Sequence, residues 1–291
     1  MRKIEPSELI INDDGSIYHI KLKPEDIADD IILVGDPQRV EIVSSFFDTI
    51  ELKKHNREFN THTGTYKGKR LTVLSSGIGT DNIDIVVNEL DALVNIDLKT
   101  RTVKKEHKSL NLIRLGTSGG LQGDIPVDSF LMSKIAIGFD GLLNFYHNRD
   151  EVCDLDMEDA FTKYLNWNKR LASPYFVEAS EKLMNRLGEG FIPGVTISSP
   201  GFYGPQGRIL RLPLAVPDMN QKIEDFKYKE YKITNFEMES SAIYGLSKML
   251  GHEALTVCVI IANRVQKTFS ADYKTMVKKL IQNTLDKLVA S

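Results

Sequence analysis

The 291-residue chain has only two cysteines and one tryptophan, Trp167. Cys153 and Cys258 lie far apart and lack the spacing of metal ligands, which argues against a zinc module or a disulfide-stapled scaffold. Cys258 lies within an apolar run, as a buried thiol does. The pattern favours two free thiols over a disulfide. Free thiols are typical of a reducing compartment, so we expect the protein in the cytoplasm.

Long apolar runs and an excess of one charge are also missing. No apolar run approaches the roughly 20 residues of a membrane span, and the first residues lack the apolar stretch of a signal peptide. With 37 basic and 40 acidic residues the net charge is -3, which argues against a broad surface for nucleic acid or anionic membrane. We therefore expect a soluble protein with neither as a partner, in which a local cluster holds any bound anion.

Apolar runs typical of buried strands alternate with helical patterns. The predicted strands are 30–34, 71–75, 112–115, 195–199 and 254–262, and the predicted helices begin at Pro37 or cover 81–94, 175–187, 239–250 and 272–289. This order predicts a single α/β domain over 1–291, with a mixed central sheet flanked by helices. The charged region 148–173 is irregular. It could be a lid, but we favour a surface insertion.

Glycine-rich segments follow several of the predicted strands. RLGTSGGLQGD begins at Arg114 and matches neither the dinucleotide fingerprint nor the GxxxxGK[ST] phosphate loop. It is read as a turn whose N–H groups could cradle an anion, although an ordinary turn would look similar. GDPQR at Gly35 and SSGIGTDN at Ser75 hold comparable positions, and NREF at Asn56 adds an arginine. Ligands of open α/β sheets collect where such strand ends converge.

The segment NFEMESSA places Glu237 and Glu239 on either side of Met238. One interpretation is a helix N-terminus that favours acidic residues, because residues two apart on a helix do not share a face. The other is a ligand site with hydroxyl acceptors and an apolar floor. The segment alone favours the first interpretation.

In order along the chain, GDPQR, NREF, SSGIGTDN, RLGTSGG, FYGPQGR and NFEMES resemble the nucleoside phosphorylases of the uridine phosphorylase type. The resemblance covers about residues 19–264. It implies a single α/β domain around a distorted mixed sheet, which agrees with the alternation of elements. It also implies a pentosyltransferase that cleaves uridine reversibly with phosphate, giving uracil and ribose 1-phosphate, in nucleoside metabolism and pyrimidine salvage.

The resemblance implies a phosphate site built from Gly35, Arg39, Arg114 and Thr117, with Arg57 supplied by a neighbouring subunit. Guanidinium groups suit this role because their planar fork donates paired hydrogen bonds to phosphate oxygens. The alternative for each arginine is a solvated surface charge. An arginine-rich phosphate site favours phosphorolysis over the hydrolysis carried out by nucleosidases of the superfamily.

For the ribose, the resemblance implies that Glu239 accepts the 2′ and 3′ hydroxyls, Met238 packs under the sugar and Glu237 supports them. His19 would reach the 5′-hydroxyl across a dimer interface, although a lone histidine is often a packing residue. A monovalent cation near Glu58, at the same interface, is a further expectation. Members form dimers or rings of dimers, and the sequence does not choose between these assemblies.

For the base, the resemblance assigns Phe202 to stacking and Gln206 with Arg208 to the uracil edge. An amide both donates and accepts, and a guanidinium stabilises negative charge on carbonyl oxygens. Arg208, Gln206 and Arg114 are therefore the predicted catalytic residues. Purine-cleaving relatives carry an acid just after the strand that reads VCVIIAN here, and residues 257–263 contain no aspartate.

No organic cofactor or catalytic metal is expected, because phosphate is a co-substrate and neither redox nor Lewis-acid chemistry is required. Two alternatives to uridine phosphorolysis remain open. One is a purine or broad-specificity nucleoside phosphorylase that uses the same phosphate and ribose sites. The other is a nucleoside-binding module without turnover, which would have no use for the phosphate arginines.

Overall fold

The computed structural model describes residues 3–290. The strands are β1 (Asp30–Val34), β2 (Thr49–Asn56), β3 (Phe59–Tyr66), β4 (Lys69–Ser75), β5 (Ile96–Asp97), β6 (Thr102–Val103), β7 (Asn111–Gly120), β8 (Phe130–Gly138), β9 (Tyr175–Glu178), β10 (Ile192–Ser198), β11 (Lys227–Tyr228), β12 (Tyr231–Glu237), β13 (Glu253–Asn263) and β14 (Thr268–Phe269). The helices are α1 (Pro37–Ser44), α2 (Thr80–Asn95), α3 (Leu155–Leu165), α4 (Glu181–Leu187), α5 (Met219–Asp225), α6 (Ser240–Leu250) and α7 (Tyr273–Ala290).

A 12-stranded mixed sheet forms the centre of the fold, with the main order β11-β12-β10-β8-β13-β7-β1-β4-β3-β2. β7 lies parallel to β1 and β13, and β10 lies parallel to β8 and β12, whereas β13 and β8 are antiparallel. The predicted α/β fold with a mixed sheet is confirmed. No helix within residues 3–290 is long and apolar enough to cross a membrane.

β12 closes the sheet upon itself by pairing with β7 as well as with β10. The β7 pairing is antiparallel, with Asn235 opposite Gly120 and Phe236 opposite Gly119. Continuation in this direction carries the chain beyond Phe236 back along β7 towards Arg114. The pairing therefore explains how side chains from opposite ends of the sequence meet at one place.

The structure corrects the expected turn at Arg114, because residues 114–120 belong to β7. Gly116 serves close packing, because a Cβ there would overlap Nη1 of Arg114. The predicted helix 175–187 is also wrong at its start. Residues 175–178 form β9, which pairs antiparallel with β8 and buries its first three side chains, and α4 follows.

Region 148–173 is more than a surface insertion. It contains α3, whose Met157, Phe161 and Leu165 are buried in a second apolar cluster beside the main core. The ring of Phe161 also packs against Trp167 with centroids 5.7 Å apart. The charged face of α3 dominates its sequence and hides the helical spacing of these three residues, so the helix was missed.

Candidate active site

A buried cluster of charges lies where β7 meets the end of β12. Arg114 is 5% exposed, Glu237 4% and Glu239 3%. Nη2 of Arg114 donates to Oε2 of Glu239 and lies 3.5 Å from Oε2 of Glu237. Burial acts to lower the pKa of Arg114, but the charges of Glu239 and Glu237 outweigh burial and raise it. The cluster therefore holds a permanent cation beside two carboxylates.

Backbone groups fix the two carboxylates. Glu237, the last residue of β12, accepts the N–H groups of Glu239 and Ser240 at 2.9 and 3.0 Å, at the start of α6. Oε1 of Glu239 accepts the N–H of Gly79 at 2.8 Å. Glu237 ends a strand and Glu239 precedes a helix, so the two residues do not lie within one helix. The argument that residues two apart on a helix cannot share a face therefore does not apply to them.

A hydrogen-bond chain extends from Glu237 away from Arg114. The hydroxyl of Ser198, at the end of β10, donates to Glu237 and accepts the N–H of Ser241 at 2.9 Å. The Ser241 hydroxyl in turn donates to Asp140 at 3.1 Å, and Tyr175 donates to the same carboxylate at 2.9 Å. Burial raises the pKa of Asp140. The ends of β8, β10 and β12 are thus tied together behind the charged cluster.

A second arginine, Arg39, reaches the strand that carries Arg114. Arg39, in the first turn of α1, donates through Nη1 to the carbonyl of Leu115 at 3.4 Å. Burial and the positive charge of Arg114 lower the pKa of Arg39. Neighbouring cations repel one another unless an anion lies between them. The two guanidinium groups therefore favour the binding of a phosphate-sized anion.

Glycines keep the backbone close to this pair. A Cβ at Gly35 would touch the carbonyl oxygen of Gly77 at 3.4 Å, so the turns after β1 and β4 lie against one another. Gly77 has φ +72°, and a Cβ there would lie 2.4 Å from Nδ2 of Asn82. Thr117 lies half-buried on β7, and its contact with an anion stays a prediction.

His19 and Arg57 form a separate patch. The Arg57 guanidinium lies 5.5 Å from the centre of the Tyr18 ring, and the Tyr18 and His19 rings pack edge to face at 4.7 Å. Nδ1 of His19 lies 2.6 Å from Oε1 of Glu89, which fixes the imidazole. The structure therefore brings His19 and Arg57 together at the surface. Their action in a neighbouring subunit stays a prediction.

The segment after β10 forms the candidate base loop, residues 200–208. Gln206 is 4% exposed, and its Oε1 accepts Nη1 of Arg208 at 2.5 Å. The Arg208 guanidinium lies 3.7 Å from the centre of the Phe202 ring, which is 50% exposed. Arg208 thus covers one face of Phe202. These three residues are close enough to act on one planar ligand.

Arg264, at the end of β13, is a site residue to which sequence reasoning gave no role. Its Nη1 donates to the carbonyl of Gln206, and its guanidinium lies 5.4 Å from the Phe236 ring centre. Burial, together with the charge of Arg208, lowers the Arg264 pKa to about 10. The sequence feature that could have identified Arg264 is its position directly after a buried strand. The neighbouring Asn263 is engaged structurally, since its Nδ2 donates to the carbonyls of Gln122 and Ile125, both at 2.8 Å.

One group away from this site has metal-ligand chemistry. Suitable ligand atoms of Asp91, His107 and His252 lie within 4.8 Å of one another. However, the N–H of Leu110 donates to Nδ1 of His252 at 3.2 Å, so the proton of the neutral ring is on Nε2, which faces Asp91. A metal would need that nitrogen deprotonated. We assign no metal here, and a cation near Glu58 stays a prediction.

The fold and site define a class: an α/β protein in which two arginines lie near two buried carboxylates at the ends of the central strands. Residues 29–290 match the family model described as the phosphorylase superfamily. The chain belongs to this superfamily, and the expected family membership is confirmed.

The named relatives include both uridine phosphorylases and purine nucleoside phosphorylases. A uridine phosphorylase of Thermococcus kodakarensis is 30% identical, over 92% of this chain and 85% of its own length. A DeoD-type purine nucleoside phosphorylase of Listeria welshimeri is 28% identical, over 83% and 85%. A solved Trypanosoma brucei nucleoside phosphorylase, described as showing uridine phosphorylase activity, has a TM-score of 0.88 and 30% identity, covering 97% of this chain and all of its own.

Proposed function

We propose that this protein is a cytoplasmic uridine phosphorylase that converts uridine and phosphate reversibly into uracil and ribose 1-phosphate. The observation that carries the proposal is the approach of the Arg39 guanidinium to β7 at Leu115, next to Arg114, which is itself paired with the buried carboxylate of Glu239. A nucleoside binder without turnover would need only the carboxylate. A hydrolase would have no use for a phosphate pocket.

In the proposed reaction, phosphate lies between Arg39 and Arg114 and presents one oxygen to C1′ of the ribose. Glu239 accepts the 2′ and 3′ hydroxyls, supported by Glu237, while Met238 packs against the sugar. The C1′–N1 bond breaks with its electron pair on uracil as the new C1′–O bond forms. The sugar becomes oxocarbenium-like, and the bound phosphate stabilises its positive charge. Prepositioned charges contribute most here because little reorganisation is required.

The departing uracil carries delocalised negative charge on its carbonyl oxygens. Arg208 and Arg264 bring two cations to Gln206, so this end of the site suits an anion. Purine relatives protonate their leaving group with an acid after β13. Asn263 stands near that place and donates both amide protons to backbone carbonyls. The absence of an acid from residues 257–263 supports a pyrimidine leaving group.

The test is product formation from uridine, inosine and thymidine, each with and without phosphate. We expect phosphate-dependent release of uracil from uridine, with inosine left intact. Cleavage of inosine would favour a purine or broad-specificity enzyme and contradict the assignment of the base loop. Cleavage without phosphate would contradict phosphorolysis itself. Thymidine reports whether a pyrimidine nucleoside that lacks the 2′-hydroxyl and carries a 5-methyl group is accepted.

A shared site follows if Arg57 and His19 act in a neighbouring subunit. Co-expression of Arg57→Ala with Arg208→Ala chains tests this. In a mixed dimer one site would combine the intact Arg208 of one chain with the intact Arg57 of the other. We expect activity well above that of either variant alone. Activity no higher than the sum of the two variants would place Arg57 in its own chain's site or outside any site.

A further inference from the structure

A cavity of about 800 Å³ lies beside the candidate base loop. Its walls are formed by the end of region 148–173, by residues on both sides of Gln206, and by the segment 210–220. Gln206, Arg114 and Glu239 are not among the lining residues, but Arg208 is, so the cavity adjoins the proposed uridine site and shares one residue with it. Its volume lies within the range of small-molecule sites.

The lining is largely apolar. Trp167 and Leu171 form one side, and Leu210, Leu212 and Met219 contribute to the other. Leu210 is 74% exposed and Leu212 is 81% exposed, although both belong to the lining. Apolar side chains clustered around an open cavity mark a binding surface more often than isolated exposed leucines do. A ligand with an apolar body would remove these side chains from water.

Charge at the cavity is asymmetric. Arg170, Arg208 and Arg211 line it, and neither Arg170 nor Arg211 makes an ion pair within residues 3–290. Asp140 is the acidic group in the lining. Its carboxylate already accepts the Tyr175 hydroxyl at 2.9 Å and other donors from its own surroundings. The guanidinium groups of Arg170 and Arg211 therefore remain available to a ligand, whereas the carboxylate of Asp140 is occupied and Arg208 contacts Gln206.

We propose that this cavity binds a small amphiphilic carboxylate. The hydrocarbon or aromatic body lies against Trp167 and the leucines, and the carboxylate pairs with Arg170 or Arg211. A highly charged ligand such as a nucleotide would leave the apolar wall uncovered. A neutral apolar ligand would leave the two guanidinium groups without a partner.

Occupancy of the cavity would also act on the base loop. Tyr203, Pro205 and Arg208 line the cavity, and Arg208 contacts Gln206. Asp140 connects the same wall to Glu237 through Ser241 and Ser198. A bound carboxylate is therefore expected to change the KM for uridine, and this second part rests on the proposed function. Binding itself is measured without activity.

The experiment uses the fluorescence of Trp167, the chain's only tryptophan, which lies in the cavity wall. The purified protein is titrated with decanoate below its micelle concentration, with decanol and acetate as comparisons. We expect a saturable change with decanoate, an apparent Kd at least ~3-fold weaker with decanol because the ion pair is missing, and no change with acetate. Equal binding of decanoate and decanol would overturn the carboxylate assignment.

Variants locate the binding. Leu212→Asp places a charge in the lining and is expected to weaken decanoate binding at least ~10-fold, as is the double variant Arg170→Ala/Arg211→Ala. Phe145→Asp is the matched control, since Phe145 is 89% exposed and lies outside the cavity. Unchanged affinity in Leu212→Asp would overturn the proposal. So would dissociation of an oligomer by Leu212→Asp with no decanoate binding to the parent protein, because a second copy would then cover the leucines.

Discussion

The proposed phosphate and ribose half of the site differs from the proposed base half in how its charges are held. Arg114 and Glu239 are almost fully buried, and each is paired with the other. Phe202 is half exposed, and Arg208 is held by the loop's own carbonyl and amide groups. The first half is part of the core, whereas the second is a loop laid against it. Folding stability therefore constrains the residues of the first half more than those of the second.

The difference has an energetic reason. A buried charge without its partner costs several kcal/mol, so Arg114 and the two glutamates stabilise the fold only as a set. A partly exposed arginine in a loop is screened by water, and its loss costs little stability. Changes in the two halves should therefore separate effects on folding from effects on catalysis.

The largest effect is expected for Arg114→Gln. It leaves Glu237 and Glu239 buried without a cation, so we expect a loss of about 3–5 kcal/mol in the free energy of unfolding. It also removes a phosphate ligand, with a fall in kcat/KM on the order of 10³. Denaturant unfolding and steady-state kinetics measure both. Arg39→Gln is the control: its activity should fall while its stability changes much less, because Arg39 is only half-buried.

Arg208→Ala should lower kcat for uridine by roughly 10² or more, as the loss of a preorganised donor does elsewhere. The unfolding midpoint and the KM for phosphate should stay close to those of the parent, because the residue lies in the loop. Activity within a few-fold of the parent would refute the role of Arg208. A large loss of stability would contradict the separation of the two halves.

Arg264→Gln tests whether Arg264 acts on the base half of the site alone. The shorter, neutral side chain no longer holds the Gln206 carbonyl or adds its charge near the leaving base, so kcat/KM for uridine should fall about 10-fold. The KM for phosphate should not change. A rise in the phosphate KM equal to the rise for uridine would mean that Arg264 supports the whole site. Lys248→Gln, a charge change on the far turn of α6, serves as the control.

The smallest effect is expected from thiol modification. Sγ of Cys258 lies 3.6 Å from Nη1 of Arg114, in contact with the centre of the site. Burial raises the pKa of Cys258 to about 12, so the thiolate that alkylating agents attack is scarce at neutral pH. Treatment with iodoacetamide at pH 7.5 should leave activity unchanged. Rapid inactivation, with mass spectrometry placing the label on Cys258, would show that the buried half opens in solution.

Much of the fold was predictable because single segments carry its signals. The apolar run before Gly35 gave β1, and Pro37 gave the first turn of α1 as observed. The helix over residues 81–94 was placed within one residue at each end. These segments have local patterns that burial then reinforces.

The rest depended on contacts between distant segments. Nothing local to Arg114 shows that its partner lies 125 residues further along the chain. Gly119 and Gly120 look like a turn but are the β7 residues that pair with Phe236 and Asn235 of β12. Arg264 gained a role only when β13 brought it to the base loop. Resemblance supplied the residue roles, while the pairing of the charges required the structure.

The closure of β12 onto β7 has a consequence for synthesis of the chain. Arg114 leaves the ribosome long before Glu237 and Glu239, and β7 cannot meet β12 until residue 236 has emerged. Contacts of such separation form late, because a long loop must close first. In a nascent chain that ends before residue 237, Arg114 is present but its two carboxylate partners are not. The pairing of β12 with β7 and the assembly of the charged cluster therefore depend on the same late stretch of the chain, and chains that end before it lack both carboxylates.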